Sequence, residues 1–154
     1  SWLVDDREND RITGICVTKD KLAVTGYTTS PTLGGMNGDG GFKRDSLSPV
    51  TSDIFLALFK LNTQNRWNRN YHVFYGGDAM DYGGKVVIDA DGNTIFSGAT
   101  QSTNFKATDG TTRKGGDDNV LVKFGPTATR LWATIYGSTG QDQTCDLVVD
   151  SKKC

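Results

Sequence analysis

Asp89, Asp91 and Asn93 stand in a D-x-D-G-N stretch, an alternation of oxygen-bearing side chains that can open a calcium loop. A full loop of that type needs more oxygen ligands and a distal bidentate carboxylate. Asp91-Gly92 is also the strongest short-range hairpin signal, and a hairpin accounts for the same residues without a metal. Two other carboxylate pairs, Asp117 with Asp118 and Asp78 with Asp81, have the composition of an acid–base couple. The only histidine, His72, lies in the strand-like run NYHVFYGG, with no serine or cysteine context that would complete a triad. Three cysteines, Cys16, Cys145 and Cys154, show neither CxxC nor Cys/His spacing, so zinc is not indicated. They read either as free thiols or as a bridge, within or between chains, in an oxidising compartment. Trp2, Trp67 and Trp132 could stack on a sugar. Their common position in a repeat favours packing between repeated units instead.

That repeat is the strongest organising signal. DIFLALFKLNTQNRW from Asp53 to Trp67 aligns without a gap on DNVLVKFGPTATRLW from Asp118 to Trp132, an offset of 65 residues. Leu56 falls on Leu121, Phe59 on Phe124 and Trp67 on Trp132, and Trp2 lies another 65 residues upstream of Trp67. Self-similarity at a long fixed period marks a repeat architecture. Upstream, GICVTKDKLAVTG at Gly14–Gly26 matches GKVVIDADGNTIFSG at Gly84–Gly98, with a turn two residues shorter. GYTTS at Gly26–Ser30 matches GATQS at Gly98–Ser102, and YGG at Tyr75–Gly77 matches YGS at Tyr136–Ser138. Asp53 and Asp118 therefore recur, as do Asp10, Asp81 and Asp142. A residue repeated in every unit reads as a structural cap rather than a unique catalytic group.

Apolar residues come in short runs bounded by turn signals, the strand pattern, with no helical period. The runs predict strands near 12–18, 21–27, 53–59 and 67–75, then near 83–89, 93–99, 118–124 and 130–136, as two antiparallel meanders. The first copy carries about four extra residues between Trp67 and Tyr75, which predicts a bulge there. Four short strands per repeat is the arithmetic of a β-propeller blade. The boundaries read as the end of a preceding blade over 1–9, a first blade-like repeat over 10–77, a second over 78–140, and the first strand of a following blade over 141–154. The first repeat carries a long polar loop over 31–52 whose Ser and Thr residues near proline suit O-glycosylation. No N-x-S/T sequon occurs.

VVIDADGNTIFSGATQS, DDNVLVKF and RLWATIYGS resemble the bacterial-type β-propeller repeat called SBBP. The match runs through Gly92, Asn93, Gly98, Thr100, Ser102, Asp118, Lys123, Trp132, Tyr136 and Gly137. The first copy matches at Thr25, Gly26, Thr28, Ser30, Asp53, Phe55 and Tyr75–Gly77, and departs at its KDK turn and at Leu58, where lysine is expected. The resemblance implies an all-β, propeller-type scaffold in a large secreted or surface protein.

Composition agrees with short strands and many turns: 19 of 154 residues are glycine, against a usual level of about 7%. Seventeen basic residues balance 18 acidic ones, with no basic stripe to suggest nucleic acid. The longest aliphatic and aromatic run, Ile54 to Phe59, is far too short for a membrane span. No signal peptide is evident, and the start at Ser1 reads as processing or derivation from a longer protein. Two blades are fewer than a ring requires. The expectation is thus an extracellular or surface structural module, with no catalytic, cofactor or metal residues. It would partner copies of itself or the rest of a parent chain as an oligomer or filament, and Cys154 would be placed to lock neighbours. The alternative is a lectin-like propeller holding a glycan between blades.

Overall fold

A computed structural model describes residues 9–30, 51–143 and 146–150. The described residues form eight strands: β1 (Asp10–Val17), β2 (Lys21–Thr28), β3 (Asp53–Leu61), β4 (Trp67–Tyr75), β5 (Asp81–Ile88), β6 (Thr94–Thr100), β7 (Asp118–Phe124) and β8 (Arg130–Tyr136). They pair in chain order into two four-stranded antiparallel sheets, β1–β4 and β5–β8. All eight expected strands are present, and the meander within each sheet is as the turn spacing predicts. Among the described residues no helix occurs, and the two sheets close into neither a barrel nor a ring. Trp2, most of the loop over 31–52, Cys145 and Cys154 lie outside the described residues.

Turn chemistry explains the hairpins. Asp89 accepts the amides of Asp91 and Asn93 at 3.0 and 2.8 Å, and Gly92 takes φ +80°, a region that other L-residues enter at a cost. The β3–β4 and β7–β8 turns share one geometry. Asn65 at φ 56° and Ala128 at φ 65° donate back to Asn62 and Gly125. Asn62 also accepts the amides of Gln64 and Arg66 through its side chain, an Asx turn.

The expected bulge falls at Asn70, where pairing slips from Leu58↔Tyr71 to Phe59↔Arg69. A second bulge occurs at the same place in the other sheet, between Lys123↔Trp132 and Phe124↔Arg130. The register therefore corrects the sequence alignment. Leu58 and Lys123 are equivalent, so Trp132 corresponds to Tyr71 and not to Trp67. The extra residues of the first hairpin displace Trp67 to the exposed start of β4.

The core lies between the sheets. Ile54, Leu56, Leu58, Tyr71, Val73 and Tyr75 from one face of the first sheet meet Val86, Ile88, Phe96, Val120, Val122 and Phe124 from the second. Strict alternation along β7 puts every second side chain into this layer. Tyr75 is its hub, with ring centroids 4.8 Å from Phe105, 6.0 Å from Phe124 and 6.2 Å from Phe96. Its hydroxyl donates to the carbonyl of Lys106, and Arg130 lies over its ring and donates to its oxygen. Strand β5 crosses β1 and β2. There the backbones approach so closely that a Cβ on Gly83 would sit 2.3 Å from the carbonyl oxygen of Gly26. A smaller cluster, Val24, Phe55 and Phe74, occupies the opposite face of the first sheet.

Candidate functional site

The sheet-to-sheet crossing is built on an aspartate that recurs along the chain. Asp81, the first residue of β5, is buried and accepts Ser102 Oγ at 2.7 Å and the Gly77 amide at 2.9 Å on Oδ2. Its own amide donates to the Ser52 carbonyl at 2.7 Å. Burial raises its pKa to about 6, against the opposing hydrogen bonds from Thr100, Ser102 and Gly77. One repeat later the same device returns. The Asp142 amide donates to the Asp117 carbonyl at 2.7 Å, and the Ser138 amide donates to Asp142 Oδ2 at 2.8 Å. One repeat earlier, Thr28 donates its hydroxyl to Asp10.

The glycine after each fourth-strand tyrosine makes room for the aspartate that opens the third strand. A Cβ on Gly76 would lie 2.3 Å from Asp53 Oδ1 and 2.7 Å from Asp81 Oδ2, and one on Gly137 would lie 2.5 Å from Asp118. Asp53 and Asp81 thus converge at Gly76, a pairing that sequence spacing did not suggest. Its signal was available, because both aspartates and the Tyr-Gly phrase recur. Both are buried, Asp53 at 3% and Asp81 at 0% exposed.

The members of each pair singled out from the sequence take different partners, and the charge of Asp78 adds to the upward shift of Asp81. Asp78 is exposed and accepts the Thr103 amide and hydroxyl at 2.7 and 2.5 Å, whereas Asp81 is buried. Asp117 accepts Gln101 Nε2 at 2.7 Å, while Asp118, pointing to the other face of β7, accepts the Lys114 amide at 2.6 Å. His72 is buried on the outward face of β4 beside Phe74, at 6.0 Å between rings.

In the D-x-D-G-N turn, Asp89 binds protein donors. Lys123 Nζ lies 2.8 Å from Oδ2, Asn93 Nδ2 donates to that same oxygen at 2.8 Å, and the two turn amides donate to Oδ1. Burial opposes ionisation there, but the Lys123 and Asn93 hydrogen bonds outweigh it and hold the pKa at about 2. Among the described residues, no group of three or more His, Cys, Asp or Glu side chains is arranged to hold a metal ion.

Trp67 is 41% and Trp132 37% exposed, so neither is buried between these two sheets. Cys16 is a half-buried free thiol packed against the core.

One open pocket of about 460 Å³ lies where β1 and β2 meet β5, lined by Asp10, Arg11, Tyr27, Thr29, Met80 and Tyr82 among others. Tyr27 and Tyr82 meet edge to face across it at 5.2 Å. No family model matches the chain, and a search of curated proteins finds no relative.

Proposed function

We propose that this chain is a structural module of a secreted or surface β-propeller repeat protein, working by stacking sheet upon sheet in an oligomer, a filament or a longer chain. The observation that carries this reading is the inequality of the two faces. Face one of the first sheet (Leu56, Tyr71, Val73, Tyr75) packs on face two of the second (Val86, Phe96, Val122, Phe124). The repeat gives each sheet both kinds of face, so each can receive one neighbour and dock on another. Head-to-tail contacts of this kind build rings when the rotation closes and filaments when it does not. The resemblance to SBBP repeats supports a propeller-type rotation. The buried aspartates serve it as caps that fix where one sheet ends and the next begins. Their burial, and their recurrence in every unit, argue against catalysis.

A second reading is favoured by the pocket at the seam, which joins two tyrosine rings to Arg11 and Asp10 as a lectin-like glycan site would. Two experiments separate the readings. Imaging the native material with and without reductant is expected to show rings, filaments or a larger particle. Discrete single-chain particles with a saturable glycan ligand, lost on Tyr27→Ala, would instead establish the lectin.

A further inference from the structure

Register identifies which residues of the first sheet repeat the buried ones of the second. Gly26 aligns with Gly98, so Val24 corresponds to Phe96 and Leu22 to Thr94. Strand β1 pairs Ile15 with Val24 and Val17 with Leu22, and β5 pairs Val86 with Phe96 and Ile88 with Thr94. Ile15 is therefore the counterpart of Val86, and Val17 of Ile88. Val86 and Ile88 are 4% and 7% exposed beneath the first sheet, whereas Ile15 and Val17 are 69% and 64% exposed. Ile12 continues the same outward row at 48%. The molecule thus contains one complete seam and one open half of the same seam.

We propose that the outward face of the first sheet docks the outward face of the second sheet of another copy, reproducing the internal seam between chains. This rests on the stacking role argued above and names its partner. The complementary half is present on the chain itself. Tyr136, 79% exposed, stands at the position of buried Tyr75, because Asn119↔Tyr136 repeats Ile54↔Tyr75. Inside the chain, Arg130 holds the Tyr75 hydroxyl. Its counterpart on the receiving face is Arg69, paired with Phe59 as Arg130 is with Phe124, and it is exposed. Tyr136 of one copy then meets Arg69 of the next.

The internal seam also pairs Tyr71 with Thr94, hydroxyl to hydroxyl at 2.6 Å. At the intermolecular seam the counterparts are Trp132 and Leu22. Both members have changed together, from two hydroxyls to two apolar groups. Lys123, which replaces Leu58, enters the seam already neutralised by Asp89.

The test is sedimentation velocity over a concentration series on the full chain, with Ile15→Asp and Leu121→Asp variants whose folding is verified by circular dichroism. The wild type is expected to associate, and Ile15→Asp to weaken association on the order of 100-fold, since a carboxylate desolvated without a partner is strongly disfavoured. Mixing the two variants is expected to restore association, but only to 1:1 dimers, because each retains one intact and opposite half. Should Ile15→Asp misfold, Arg69→Glu provides an exposed alternative on the same face, and its loss should be rescued by Tyr136→Lys. Association that survives both receiving-face substitutions would overturn this interface while leaving the stacking role to another face. A wild type that stays monomeric throughout would overturn association between copies, and imaging of the native material would still decide the module reading separately.

Discussion

Asp81 and Asp89 are displaced in opposite directions, and each gives pH its own window. Burial raises Asp81 to about 6 from an ordinary value of 3.8. The folded state holds this proton more tightly, so its contribution is complete below about pH 4 and is lost as pH rises through 6. The loss is roughly 3 kcal/mol at most. Asp81→Asn should flatten the stability profile between pH 4 and 6 in urea titrations, and an unchanged slope would place the titration elsewhere. Asp89, held at about 2 by Lys123 and Asn93 despite burial, contributes above about pH 4 and loses that contribution as pH falls toward 2. Lys123→Met should therefore lower stability above pH 4 and so reduce the acid-limb loss, leaving the slope of the limb above pH 4 unchanged. At the same turn, Gly92→Ala places a side chain at φ +80° with Lys21 Cε 3.1 Å away. The lysine tip can move, so the backbone sets the cost, roughly 1–2 kcal/mol by chemical denaturation.

At the scale of elements, the crossing of β5 over β2 depends on bare backbone. Gly83→Ala drives a Cβ to within 2.3 Å of a carbonyl oxygen that has no flexible tip to yield, and should cost at least about 3 kcal/mol. Gly125→Ala, whose nearest neighbour would be 3.6 Å away, should be close to neutral, and equal effects from the two would refute the close approach. The strands themselves were legible, because β-rich runs and turn residues act locally. Expectation and structure differ by two residues at most, as at β5, which opens at Asp81 rather than near 83. The placement of the tryptophans was not legible. A gapless alignment cannot see that the first hairpin carries two additional strand pairs, Lys60↔Asn68 and Leu61↔Trp67, which move Trp67 out of register with Trp132, the bulge being common to both sheets. The convergence of Asp53 with Asp81 was hidden for a related reason. It depends on Gly76 and on two strands meeting across the seam, which only the packed sheets define. That the aspartates recur in each unit could be read from the sequence alone.

For the whole molecule, the proposed stacking makes the outward face of β1 half of a seam and not a solvated surface. This holds whether the covering sheet comes from another copy or from the same polypeptide. Exposed apolar rows of this kind mark interaction sites. Hydroxyl-radical footprinting of the native material, read by mass spectrometry residue by residue, measures this directly. Ile12, Ile15 and Val17 should be labelled as weakly as their buried counterparts Val86 and Ile88. In the chain isolated at high dilution they should become reactive. Labelling of Ile15 and Val17 in the native material at the level of Val148, which is 84% exposed, would contradict the account.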